Sequence, residues 1–412
     1  MVQHSRSMSI DHSRLRGRAR GLTTIAALSA AVMFAGLSVA SAQPAEPTEP
    51  TDSAVPSATA LPATISEDGT EVIPPEGSEA ERPKAEEQGI EKPDIADASP
   101  ARVTDDPETE TVGYGPEQKN FLAGFLYSIV KPDVAPPGAN DWNCKPTEEH
   151  PNPVVLLHGT WENAYNNFAR ISPALKAEGY CVFAPNTGDK DSSALGHVKA
   201  LRGTGPITES AKEIAFYIDA VLERTGAEQV DIVGHSQGSL ASRQYMRFEG
   251  GADPSDPSKN KVGKIVSLGG SNHGTTLVGI GTLGRTINNL GLNVLGLVGA
   301  VAGPAASDQV IDSDLIKALT AGGDTERGVD YTAIATRFDE VVTPFRTTFL
   351  EAGPDATVNN VLLQDGCGID LSDHLSMSVS PRSIGYIKNA LDPEGFPVSE
   401  VPCVWNAPVT GG

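Results

Sequence analysis

The sequence predicts an α/β fold: a mostly parallel central sheet with helices packed on both faces. Three observations carry this. Short apolar runs rich in β-branched residues alternate with longer stretches of helical period, which is the pattern of strand–helix–strand crossovers. One such run, Val230 to Val233, ends in Gly234-His235-Ser236-Gln237-Gly238 and passes directly into the helical stretch Leu240 to Met246. The alternation covers only the second two thirds of the 412-residue chain, so the fold is expected from about residue 113 onward.

What precedes that point reads differently. Arg14, Arg16, Arg18 and Arg20 form a basic region, Leu22 to Val39 is apolar, and Ala40-Ser41-Ala42 fits the small-residue pattern of signal cleavage. Residues 1–42 are therefore expected to be a signal peptide of the general export route, cut after Ala42. Residues 43–112 are rich in Pro, Glu, Ala, Thr and Ser. Between Gln43 and Thr111 stand 18 Asp and Glu against 4 Lys and Arg, which supplies most of the formal charge of −22. Such a stretch buries too little apolar surface to offset its ordering entropy and is expected to be disordered. An acidic chain of this kind argues against a nucleic-acid partner.

In the remainder, residues 113–412, Phe121 to Leu126 reads as a short helix and Pro153 to Leu157 as the first clear strand. His158-Gly159-Thr160-Trp161 follows at once. A helical stretch from Phe168 to Ala177 leads to a second strand, Tyr180 to Ala184. Beyond the loop Pro185 to Gly205, Ala211, Ile214, Ala215, Ile218 and Val221 recur at helical spacing within Thr208 to Thr225. The strand entering Ser236 and its helix come next, then Val262 to Leu268 as a strand. Leu277 to Ala306 is rich in Gly, Leu and Val and shows no regular helical pattern, so a cleft wall, a lid or plain packing are all open to it. Tyr331 to Thr336 and Asn360 to Gln364 are the late strands, and Pro381 to Leu391 the closing helix.

A G-x-S-x-G pentapeptide is a weak signal in a chain with 42 glycines. Set between a strand and a helix, it becomes the nucleophile elbow of an α/β-hydrolase fold. Side chains at Gly234 and Gly238 would collide with the neighbouring strand and helix, leaving the Ser236 hydroxyl held clear of the sheet. A serine needs a base, and in this fold the acid and then the histidine follow in the chain, each after a later strand. Only His273 and His374 lie downstream of Ser236. His374 follows the last strand and is the expected base; His273 comes too soon and reads as a structural hydrogen-bonder. Asp339 is the expected acid, with Glu340 beside it as the alternative, while Asp373 reads as a surface charge. The oxyanion donors should be the backbone N–H groups of Gln237 and Thr160. His158 is expected to pack beneath the oxyanion turn and His235 beside the nucleophile.

Four cysteines in an exported chain suggest two disulfides. Three pairings are possible; Cys144–Cys181 and Cys367–Cys403 are favoured because each brackets a short block at one end of the domain. No C-x-x-C pair suggests a metal site.

Taken together, His158-Gly159-Thr160-Trp161, Gly-His-Ser-Gln-Gly, Ser271-Asn272-His273-Gly274-Thr275, Asp339-Glu340-Val341-Val342 and Asp373-His374 resemble secreted bacterial lipases of the class 2 type, from about Asn140 to the C-terminus. The resemblance implies hydrolysis of carboxylic esters, acylglycerols foremost, without a cofactor. A lipid or ester substrate, contact with a lipid interface and a monomer are the expected partners and state. Acyl transfer to an envelope acceptor, or a hydrolase fold kept as a binding module, are the alternatives.

Overall fold

The computed structural model describes residues 113–188, 193, 195–290 and 303–412. The expected signal peptide and acidic segment lie outside these residues, as does 291–302 of the Gly/Leu/Val-rich stretch.

Six parallel strands form one sheet in the order β2-β1-β3-β4-β5-β6. They are β1 (Val154–Leu157), β2 (Val182–Phe183), β3 (Val230–His235), β4 (Val262–Leu268), β5 (Asp330–Ala335) and β6 (Thr357–Leu362). Val155 of β1 lies opposite Phe183 of β2 and Ile232 of β3. The helices are α1 (Phe121–Val130), α2 (Ala164–Phe168), α3 (Ile171–Ala177), α4 (Ile207–Thr225), α5 (Gln237–Phe248), α6 (Leu277–Asn289), α7 (Pro304–Asp308), α8 (Asp314–Thr320) and α9 (Pro381–Leu391).

Every residue of β1 and β3 is buried, as a strand covered on both faces requires. Alternate side chains divide between two cores. Val155, Leu157, Ile232, Ile265 and Ala333 face α4, α5 and α8 through Ile214, Ile218, Leu240, Tyr245 and Leu319. Val154, Leu156, Val233, Val266 and Ile334 face α2, α3 and α9 through Phe168, Ile171, Leu175, Ile384 and Ile387. A third cluster joins α1 and α6 to loops after the strands, through Phe121, Phe125, Trp161, Leu283, Ile287, Val341 and Leu375.

The chain runs from β1 outward to β2, then crosses back to start β3 on β1's other side. The winding therefore reverses between β1 and β3, and in open parallel sheets the crevice beyond the carboxyl ends at such a reversal is where ligands bind. The loops leaving β1, β3, β4, β5 and β6 all open toward that side.

Two local expectations are corrected. The stretch Phe168 to Ala177 is not one helix: α2 begins earlier, at Ala164, where Asn163 and Asn166 cap each other's backbone. Leu277 to Ala306 does contain regular helix, α6. Ile280, Leu283, Ile287 and Leu290 recur at helical spacing and pack into the third cluster. Glycines at 279, 281 and 284 hide that pattern, each costing about 1 kcal/mol of helix propensity, which burial of the apolar face offsets.

Candidate active site

Ser236 sits where β3 becomes α5, with φ 53° and ψ −120°, a conformation L-residues rarely adopt. Its amide is tied to β4 by a 2.9 Å bond to the carbonyl of Leu268. The flanking glycines make the turn sterically possible. A Cβ at Gly238 would lie 2.0 Å from the carbonyl oxygen of Leu157 in β1, and one at Gly234 2.6 Å from the backbone nitrogen of Ser239 in α5. Strand and helix can approach this closely only without those side chains.

The serine hydroxyl meets an imidazole. Nε2 of His374, in the connection between β6 and α9, lies 2.9 Å from Ser236 Oγ. Its Nδ1 lies 3.0 Å from Oδ2 of Asp339, in the loop after β5. A carboxylate only accepts, so Nδ1 carries the hydrogen and Nε2 of the neutral ring is free to accept from the serine. The other oxygen of Asp339 accepts from the backbone N–H of Val341 at 3.0 Å and of Val342 at 2.7 Å, which holds the carboxylate in place. Glu340 makes no hydrogen bond to the ring among the described residues; its Oε2 accepts from the backbone N–H of His374 at 3.4 Å. Ser236, His374 and Asp339 are all buried.

Burial tends to lower the His374 pKa, but the Asp339 carboxylate, by charge and hydrogen bond, and then Glu340 raise it to about 9. Glu340 is itself raised to about 7, chiefly by desolvation and then by Asp373.

Thr160 follows β1 and Gln237 opens α5. Among the described residues, neither backbone N–H meets an acceptor. Their side chains are locked together: Thr160 Oγ1 donates to Gln237 Oε1 at 2.7 Å. Gln309, just after α7, donates to Thr160 Oγ1 at 2.7 Å, and Ser271 donates to Gln309 Oε1 at 3.0 Å. Sequence reasoning passed over Gln309, because nothing in its surroundings carries a motif and it reaches the site only through tertiary packing.

The remaining histidines have other occupations. His158 is held by the Gly159 carbonyl on Nδ1 and the Thr187 N–H on Nε2. His273 lies between Asp324 and the Thr347 carbonyl. Asp373 is not a surface charge. It is buried and accepts from the N–H and hydroxyl of Ser376 and from the N–H of Val409, so it shapes the loop that presents His374.

Both disulfides bear on the framework. Cys144–Cys181 ties the segment before β1 to the start of β2, and Cys367–Cys403 ties the His374 connection to the C-terminal segment. That segment also supplies Asn406, whose amide donates to Ser372 Oγ and the Ser376 carbonyl. Among the described residues no group of His, Cys, Asp and Glu is arranged to hold a metal.

An all-parallel six-stranded sheet with a serine elbow after its third strand defines an α/β-hydrolase. Residues 151–361, just over half of the chain, match the family model described as "Lipase (class 2)". The chain belongs to that family. Among solved structures it is similar to Aspergillus fumigatus lipase B, at 18% identity and a TM-score of 0.48, over 65% of this chain and 59% of that one. This chain thus spans less than two thirds of that lipase. It is also similar to the mature form of Bacillus licheniformis lipase BlEst2, at 14% identity and a TM-score of 0.40, over 60% of this chain and 94% of that one.

Proposed function

We infer that this chain is a serine ester hydrolase acting on carboxylic esters of the acylglycerol kind through an acyl-enzyme on Ser236. The observation that carries the reading is the hydrogen-bonded relay from Ser236 through His374 to Asp339. Ser236 Oγ attacks the ester carbonyl carbon as its proton passes to His374 Nε2. Asp339 keeps the ring in the right tautomer and stabilises the imidazolium without taking the proton. The N–H groups of Gln237 and Thr160 stabilise the oxyanion. Collapse of the tetrahedral intermediate breaks the ester C–O bond, and the imidazolium protonates the departing alcohol. Water then attacks the acyl-enzyme with His374 again as base, releasing the acid and restoring Ser236. No step calls on a cofactor, and one chain supplies every group.

Two features support the lipid character of the substrate and the place of action. The apolar cluster of Trp161, Leu283, Ile287, Val341 and Leu375 joins α6 to the loops that carry Thr160, Asp339 and His374, and we read it as the backing of an acyl-chain site. Beside it Leu126 and Val130 on α1 and Val278 on α6 are exposed, suiting contact with a lipid interface. Two disulfides suit an oxidising, extracellular compartment.

The test is a rate profile over p-nitrophenyl esters from acetate to palmitate, for the wild type and Ser236→Ala. Turnover that extends to long acyl chains and disappears in the variant is expected. A steep preference for acetate would make the enzyme an esterase, and an undiminished rate in Ser236→Ala would remove the mechanism.

A further inference from the structure

A second acid–imidazole pair lies buried beside the relay. Glu162, in the loop after β1, is 2% exposed, and its Oε2 lies 3.1 Å from Nδ1 of His235. Its Oε1 is buried and has no hydrogen-bond partner among the described residues. On the far side of the ring, Nε2 of His235 lies 3.0 Å from the backbone carbonyl oxygen of His374. The two imidazoles are 5.0 Å apart between ring centres. A Cβ built on Gly159 would stand 2.9 Å from Glu162 Oε2, 3.2 Å from Ser236 Cβ and 3.3 Å from His235 Nδ1. Carboxylate, nucleophile and second imidazole thus crowd about one point.

Hydrogen accounting limits how this pair can be charged. A carbonyl oxygen only accepts, so His235 Nε2 carries a hydrogen and donates it to His374. Nδ1 then faces Glu162 and the Asn167 amide, whose Nδ2 and Oδ1 lie 2.9 and 3.2 Å away. Asn167 Oδ1 also accepts from the Gly159 N–H at 2.9 Å. With a neutral His235 and an ionised Glu162, no donor among the described residues would reach either carboxylate oxygen in a buried site. A bare carboxylate there is strongly disfavoured. One further proton, held between Glu162 Oε2 and His235 Nδ1, gives the carboxylate a hydrogen bond and leaves the pair neutral.

We propose that Glu162 and His235 share a buried proton and act as a positioning pair for His374, holding its backbone through the Nε2–H···O bond while Asp339 holds its ring. The inference rests on the relay reading above. Neither residue touches the reacting atoms. Asp339 fixes one edge of the imidazole, and His235 fixes the peptide from which that imidazole projects. The loop after β1 thereby contributes to the base as well as to the oxyanion site.

The test combines proton NMR of the full chain with steady-state kinetics on p-nitrophenyl butyrate. The wild type should show a low-field imidazole or carboxyl proton that persists in Asp339→Asn, which removes the relay's own, and disappears in Glu162→Gln. In His235→Phe, which cannot donate to His374, kcat should fall between ~10- and ~100-fold with KM within about 2-fold, the scale of a misplaced catalytic group. Glu162→Asp should restore the low-field signal in part. Absence of that signal from the wild type, or its survival in Glu162→Gln, would overturn the proposal. So would loss of rate in His235→Phe through KM alone. Should Glu162→Gln not fold, the His235→Phe kinetics and the Asp339→Asn spectrum still decide. Failure of a fluorophosphonate to label wild-type Ser236 would instead count against the relay itself.

Discussion

Nε2 of His374 and Oγ of Ser236 are 2.9 Å apart although 138 residues separate them in the chain. The sheet makes this possible: both residues lie on connections that leave parallel strands at the same end. Asp339, on a third such connection, completes the line from the other side of the ring.

If Asp339 holds the tautomer, Asp339→Asn should leave the fold intact and lower kcat by about 10⁴-fold, the scale for a wrongly held imidazole. Glu340→Gln, whose carboxylate does not reach the ring, should cost far less. Comparing kcat and melting temperature for the two variants checks the assignment.

Activity should rise with pH into the alkaline range. Only the neutral imidazole can accept the serine proton, and the His374 pKa, raised to about 9, keeps the ring protonated and inactive to higher pH than an ordinary histidine. The acid limb of the kcat/KM profile should therefore have its midpoint above 6.5, the ordinary value. A midpoint at or below that value would mean that the carboxylates around His374 do not outweigh its burial.

Gln309 ties together the side chains of the two residues that offer oxyanion donors. Gln309→Ala should lower kcat by about 10- to 100-fold, less than the ~10²–10³ typical of deleting a donor outright, because the donors remain but lose their brace. The check is kcat and KM measured separately, with KM little changed.

Elbow sterics predict a stability effect independent of chemistry. Gly238→Ala puts a Cβ 2.0 Å from the Leu157 carbonyl and forces the elbow off β1. A loss of about 1–3 kcal/mol or more is expected from such overpacking. Gly368→Ala, where a Cβ meets nothing within 4 Å, is the matched control and should melt close to the wild type.

The two disulfides should separate stability from activity. Each spans nearly forty residues, 37 and 36 in separation, so removing either should cost roughly 3–4 kcal/mol on the chain-entropy model. Replacing Cys367 and Cys403 by Ser should also depress kcat, because their bond braces the His374 connection. Replacing Cys144 and Cys181 should lower the melting temperature with kcat nearly kept.

The strand pattern was legible because β1 and β3 are buried along their whole length, and β4 and β5 along most of theirs, so each carries a short apolar stretch rich in β-branched residues. The elbow was legible because backbone sterics leave only glycine at 234 and 238. Chain order singled out His374, since the strands fix where a late histidine can stand. Other features were hidden for physical reasons. Glycines obscured α6, whose helix forms through tertiary packing against Trp161 and Leu375. Asp373 looked like a surface charge because the backbone N–H that buries it comes from Val409, at the far end of the chain. Gln309 and Glu162 reach the site only by folding, and no local spacing announces either.

The relay requires Ser236 to be the one activated hydroxyl, and covalent trapping reads that out without a choice of substrate. Intact-protein and peptide mass spectrometry after treatment with a fluorophosphonate should find a single adduct on the peptide containing Ser236. That adduct should be absent from Ser236→Ala and form far more slowly in His374→Ala. An unlabelled wild type, or equal labelling of Ser236→Ala, would contradict the assignment of the nucleophile.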